Sequence, residues 1–109
     1  MNDVRVLAEK SLDLVVQHFE IDNFNKEIFQ ASHTDPFDLL VKKLAFVIND
    51  LLDHDMGKLL NILYKIDVNE QRVTKIISEE SPENIGHEIA LLVVKREKQK
   101  VLTREKYRN

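Results

Sequence analysis

The chain has no cysteine, only two glycines and two prolines, and no long apolar run. Each shortage excludes something. Without cysteine there can be no disulfide and no thiolate metal centre, a composition compatible with the cytoplasm, where we expect the protein to work. So little glycine and proline argues against a strand-and-turn architecture and for helices joined by short links. The longest apolar run, Ile89 to Val94, is far too short to span a bilayer, so no membrane partner is expected. The opening stretch MNDVRVLAEKSLD carries acidic residues and a charge every few positions, which is not a signal peptide. With Gly57 and Gly86 as its only glycines, the chain has no phosphate-cradling loop, and Met56-Gly57-Lys58 lacks the spacing of one.

What is present fits one all-α domain over residues 1–109. A chain of this size buries somewhat more than ~60% of the surface its unfolded form exposes, enough to fold without a metal or disulfide staple. Apolar residues at 43% and charged ones at 32% are those of an ordinary globular protein. The net charge of −3 is unevenly placed. Residues 95–109 hold seven basic and two acidic side chains, a charge of +5 that leaves −8 on the rest. Such a basic helix end seeks negative charge, in the chain's own body or on a partner.

Helical periodicity predicts about five helices around a central apolar one. The centre is FDLLVKKLAFVINDLL, residues 37–52. At about 100° per residue, Phe37, Leu40, Val41, Leu44, Ala45, Val47, Ile48, Leu51 and Leu52 fall on one side. Asp38, Lys42, Asn49 and Asp53 take the other, interrupted by Leu39 and Phe46. Asp35-Pro36 opens this helix as N-cap and first helical residue.

Before it, residues 3–20 make a first helix with Val4, Leu7, Ala8, Ser11, Leu12, Leu14, Val15 and Phe19 inward, His18 among them. Residues 21–34 read as an irregular connection with one turn near 26–30, and Ile21, Phe24, Ile28 and Phe29 over the core edge. After a break at residues 53–57, Asp55 caps a third helix with Met56, Leu59, Leu60, Ile62, Leu63 and Ile66 inward. Asn69 caps a short fourth, with Val68 stapled to Val73 and Val73, Ile76 and Ile77 inward. Ser81-Pro82 opens the last and longest, to about residue 106.

Catalysis has little to stand on. His18, His33, His54 and His87 are scattered without metal-binding spacing, and no nucleophile triad is readable. Asp50, Asp53, His54 and Asp55 cluster at a helix end, but breaking and capping explain Asp53 and Asp55 without a metal. His87 follows Glu83 by four residues, a common spacing. His18 is read as a hydrogen-bonded core histidine near a helix C-terminus. We therefore expect no enzyme, no cofactor and no metal.

Surfaces are more informative. Ile89 to Val94 is apolar all round and should be surrounded by protein. Leu91, Val94, Val101 and Leu102 continue one stripe, with Lys98 laying its stem along it. With Leu39 and Phe46 they form the candidate contact surface of a homodimer or of a complex with another protein, unless the first helix or residues 21–34 cover them. Opposite them, Arg96, Lys100, Arg104 and Arg108 recur every four residues with Tyr107 nearby. That ridge suits the helix macrodipole or the acidic body, then an acidic protein partner, then nucleic-acid phosphates.

Two segments, LLNILYKIDVNE (59–70) and EIALLVVKREKQKVLTREKY (88–107), carry a resemblance. Tyr64, Lys65, Ile66 and Asp67, then Arg96, Glu97, Gln99 and Lys100, are similar to a pattern in small helical bacterial proteins of unassigned function. The resemblance implies a bacterial origin and a helical fold, and brings no catalytic residues. The expected function is a small interaction or accessory protein that associates with itself, the alternative being association with nucleic acid through the basic helix end.

Overall fold

Three helix starts are capped as their residues dictate. Asp35 Oδ1 accepts from the Phe37 N–H at 2.8 Å, Asp55 Oδ1 from Lys58 at 3.1 Å, and Asn69 Oδ1 from Arg72 at 3.1 Å. Each satisfies a backbone donor that the first turn leaves orphaned. Ser81 has the right residue type but makes no side-chain cap bond; only its carbonyl is engaged, by the Asn84 N–H at 2.8 Å.

The computed structural model describes residues 3–21 and 35–107, and within them every element is helical. The helices are α1 (Asp3–Phe19), α2 (Pro36–His54), α3 (Met56–Ile66), α4 (Glu70–Glu79) and α5 (Pro82–Lys106). The fold is a single all-α globule with a radius of gyration of 13.9 Å, close to the ~13 Å expected for this length. No described helix is long and apolar enough to cross a membrane. The turn predicted near 26–30, its apolar residues Phe24, Ile28 and Phe29, and His33 lie outside the described residues.

Two non-glycine residues with positive φ end helices. Glu20 (φ 56°) lets the Ile21 N–H turn back to the Val16 carbonyl at 3.2 Å. Asp67 (φ 69°) donates its N–H to the carbonyls of Leu63 and Tyr64, both at 3.1 Å. These are left-handed C-terminal caps, a conformation that aspartate enters more readily than most side chains do. The break between α2 and α3 is a single residue: Asp55 ends one helix with its backbone N–H and starts the next with its carboxylate.

The centre is a pair of helices. The α2 face buries Leu40, Val41, Leu44 and Ile48, while Phe37, Val47, Leu51 and Leu52 are half-buried against them. Its main partner is α5, which touches every other described helix and buries Ile89, Ala90, Val93, Val94 and Val101. Lys98 Nζ lies 4.7 Å from the Phe37 ring centroid, and Gly86 meets the side chain of Asn49. Twelve residues separate these contacts in both helices, so α2 and α5 run antiparallel in step. A Cβ at position 86 would collide with the Asn49 amide, so glycine permits the close approach. In the same way Lys10 to Glu105 (2.8 Å) and His18 to Glu97 (2.5 Å) set α1 antiparallel to α5, eight residues apart on each.

Some expected burial fails at the edges. Val4 and Leu60 are exposed, because α1 begins beyond the reach of its neighbours and Leu60 turns to the outer edge of its apolar arc. Leu91 is 42% exposed, so the run from Ile89 to Val94 is not enclosed on every side. The helix packed on that side, α4, is short and leaves a groove.

Candidate interaction surfaces

Two of the four residues of the basic ridge of α5 are engaged within the chain. Arg96 Nε donates to the Asp67 carbonyl at 3.2 Å, and its Nη2 lies 3.4 Å from Asp67 Oδ2. This clamps the left-handed corner between α3 and α4 onto α5. Lys100 Nζ lies 3.5 Å from Glu97 Oε1. Arg104 is exposed along the α1–α5 cleft, and Arg108 lies outside the described residues. The residues of the resemblance thus meet in space: Asp67 from one segment pairs with Arg96 of the other, and Gln99 lines the adjoining cleft.

Glu97 is the residue that sequence reasoning missed. It is 0% exposed, fully inside the α1–α5 contact, where the apolar stripe passes from Val94 to Val101. Lys98, expected to lie along that stripe, is half-buried and turns its ammonium to the Phe37 ring. A buried carboxylate is costly unless paired. His18, from the last turn of α1, supplies the pair through Nδ1, 2.5 Å from Oε2. Against a carboxylate, which only accepts, Nδ1–H is the donor. Among the described residues, Glu97 Oε1 has no hydrogen-bond partner, and the Lys100 ammonium lies 3.5 Å from it. The sequence held half of the signal, His18 on the apolar side of α1; its partner emerges only when α1 is laid against α5.

The other titratable candidates are local. His54 Nδ1 lies 3.0 Å from the Asp50 carbonyl and 3.2 Å from Asp50 Oδ1, within one exposed helix end. His87 and Glu83 are exposed on the first two turns of α5. Among the described residues, no three histidine or carboxylate side chains converge as a metal site would require.

The candidate contact residues separate into two groups. Val94 and Val101 are buried within the chain's own fold and cannot face a partner, Val101 lying beside Leu7, Lys10 and Leu14 of α1. Leu39 is half-buried against the core. Phe46 is 78% exposed on the outer side of α2, and Leu102 lies open at the α1–α5 end beside Val6.

Leu91 stands in a more organised setting. It shares with Ile76 and Leu92 the floor of a groove of about 330 Å³ between α4 and α5. One end is basic, with Arg72, Lys75 and Lys95; the other is acidic, with Glu79, Glu80 and Glu88. None of these six side chains forms an ion pair with another described residue. An apolar floor with charged rims is the usual anatomy of a recognition surface.

No family model, curated protein or solved structure matches this chain.

Proposed function

We propose that this chain is a small non-enzymatic interaction protein, bacterial and cytoplasmic, that acts by binding and associates with itself. The observation that carries the reading is the α4–α5 groove. Its apolar floor stays open although the neighbouring Ile89, Ala90, Val93 and Val94 of α5 are buried, and the charges at its rims have no described ion-pair partner within the chain. Buried interface cores favour such apolar floors, while open charged rims set orientation and specificity.

Light scattering at high micromolar concentration tests this directly. The expected mass exceeds that of one chain, and Leu91→Asp returns it to the monomer with helicity unchanged. A wild-type mass of one chain at every concentration would remove self-association.

Association with nucleic acid has one point in its favour, the exposed Arg104, Lys106 and Tyr107 at the end of α5. It has less support than the groove, since Arg96 would have to leave Asp67 and Lys100 would have to leave a buried carboxylate. Retention on DNA or RNA at low salt that weakens steeply as salt rises would reverse this ranking.

A further inference from the structure

The two walls of the α4–α5 groove share one spacing. On α4 the lining positions are Arg72, Lys75, Ile76 and Glu79; on α5 they are Glu88, Leu91, Leu92 and Lys95. Both are two-turn stripes at i, i+3, i+4 and i+7. Charge runs from basic to acidic along α4 and from acidic to basic along α5. Antiparallel packing therefore gathers like charges at each end, Arg72 with Lys95 and Glu79 with Glu88. Within one chain this arrangement is mildly repulsive. It acquires a purpose only when something of opposite polarity lies across it.

We propose that this occupant is a second copy of the chain, related by a two-fold axis that lies in the face and crosses both helices. The inference rests on the self-association reading above and names the surface and geometry it uses. The axis passes between Lys75 and Ile76 on α4 and between Leu91 and Leu92 on α5. Rotation about it lays each helix antiparallel on its own copy. Arg72 then meets Glu79 of the second copy, Lys95 meets Glu88 of the second copy, and Leu91 packs on Leu92 of the second copy. Lys75 lays its methylenes over Ile76 of the second copy. A two-fold axis parallel to the helices would instead set glutamate on glutamate. The crossing axis is the one that sets Arg72 and Lys95 against opposite charge. A partner of a single sign, such as nucleic acid, would be repelled by the acidic end. The contact is isologous, so it closes at two copies.

Two charge-uniform variants test the pairing. Glu79→Lys with Glu88→Lys makes both ends basic; Arg72→Glu with Lys95→Glu makes both ends acidic. Arg72, Glu79 and Lys95 are exposed and Glu88 is half-buried at the groove's rim, so both variants should keep wild-type helicity by circular dichroism. Sedimentation equilibrium should show a wild-type dimer that weakens about tenfold or more from low to high salt. Each variant alone should dissociate on the order of 100-fold more readily, through like-charge contact. Mixed in equal amounts, the two should recover a one-to-one dimer. A wild-type dimer that neither variant weakens overturns this pairing alone, leaving self-association through another face. A mixture that stays monomeric overturns the two-fold arrangement. A wild type monomeric at high micromolar concentration overturns this inference and self-association together.

Discussion

The two halves of α5 use charge in opposite ways. Toward its C-terminus, three cations are tied inward, Arg96 to Asp67, Lys100 to Glu97 and Lys98 to the Phe37 ring, while Arg104 and Lys106 stay exposed. Even Glu105 is held, by Lys10 at 2.8 Å. Toward its N-terminus, a segment of nearly balanced charge leaves Glu88 and Lys95 without described ion-pair partners, beside an open apolar floor. Where one sign is in excess, the fold neutralises part of it internally. Balanced charge beside exposed leucine marks where it is left incomplete.

The largest expected effect lies at the inward half. His18→Leu leaves the fully buried Glu97 without its hydrogen-bond donor. Losing the donor of a hydrogen bond to a buried carboxylate should cost about 1.5–3 kcal/mol in chemical denaturation. Replacing both residues, His18→Leu with Glu97→Leu, removes the unpaired charge as well. That double variant should return to near wild-type stability or exceed it. A cost for His18→Leu below about 1 kcal/mol would show that the carboxylate is not isolated after all, and would erase the contrast with the outward half.

How far all this was legible can be judged from particular residues. Asp35, Asp55 and Asn69 announced their helices because capping is local chemistry, decided within three residues of sequence. The wide apolar arc of α2 announced a central element, since periodicity fixes which face is buried. Periodicity does not say which neighbour covers that face. Val94, Leu91 and Val101 read as one stripe, yet two of them are buried within the fold and the third lies open beside the short α4. Glu97 was hidden for a different reason. A glutamate among lysines looks solvated, and only the antiparallel register of α1 on α5 brings His18 to it. The groove's end-to-end charge sorting likewise exists only after two separate segments are laid side by side.

A smaller effect separates the halves by single truncations. Arg96→Ala loses the clamp on the left-handed Asp67 corner and should cost about 1 kcal/mol. Lys95→Ala, one residue away, removes a charge with no described ion-pair partner and should change the stability of the isolated chain by no more than about 0.5 kcal/mol. Its effect should fall on association instead. Denaturation midpoints taken at a concentration where the chain is monomeric distinguish the two. Equal losses for both would mean that Lys95 is held within the chain as Arg96 is.

The smallest expected effect concerns how the outward half begins. Asn69→Ala removes a side-chain cap bond of 3.1 Å and should cost about 1 kcal/mol. Ser81 stands in the same structural position at the start of α5, but its hydroxyl makes no cap bond. Pro82, with φ fixed near the helical value and no N–H to satisfy, does much of the work of starting this helix. Ser81→Ala should therefore change stability by no more than a few tenths of a kcal/mol. Hydrogen exchange at the first amides of α5 should be equally indifferent to it. A loss near 1 kcal/mol would mean that the hydroxyl reaches a backbone donor in solution. The outward half of α5 would then be anchored at its start as firmly as α4, and only its groove would distinguish it from the rest of the fold.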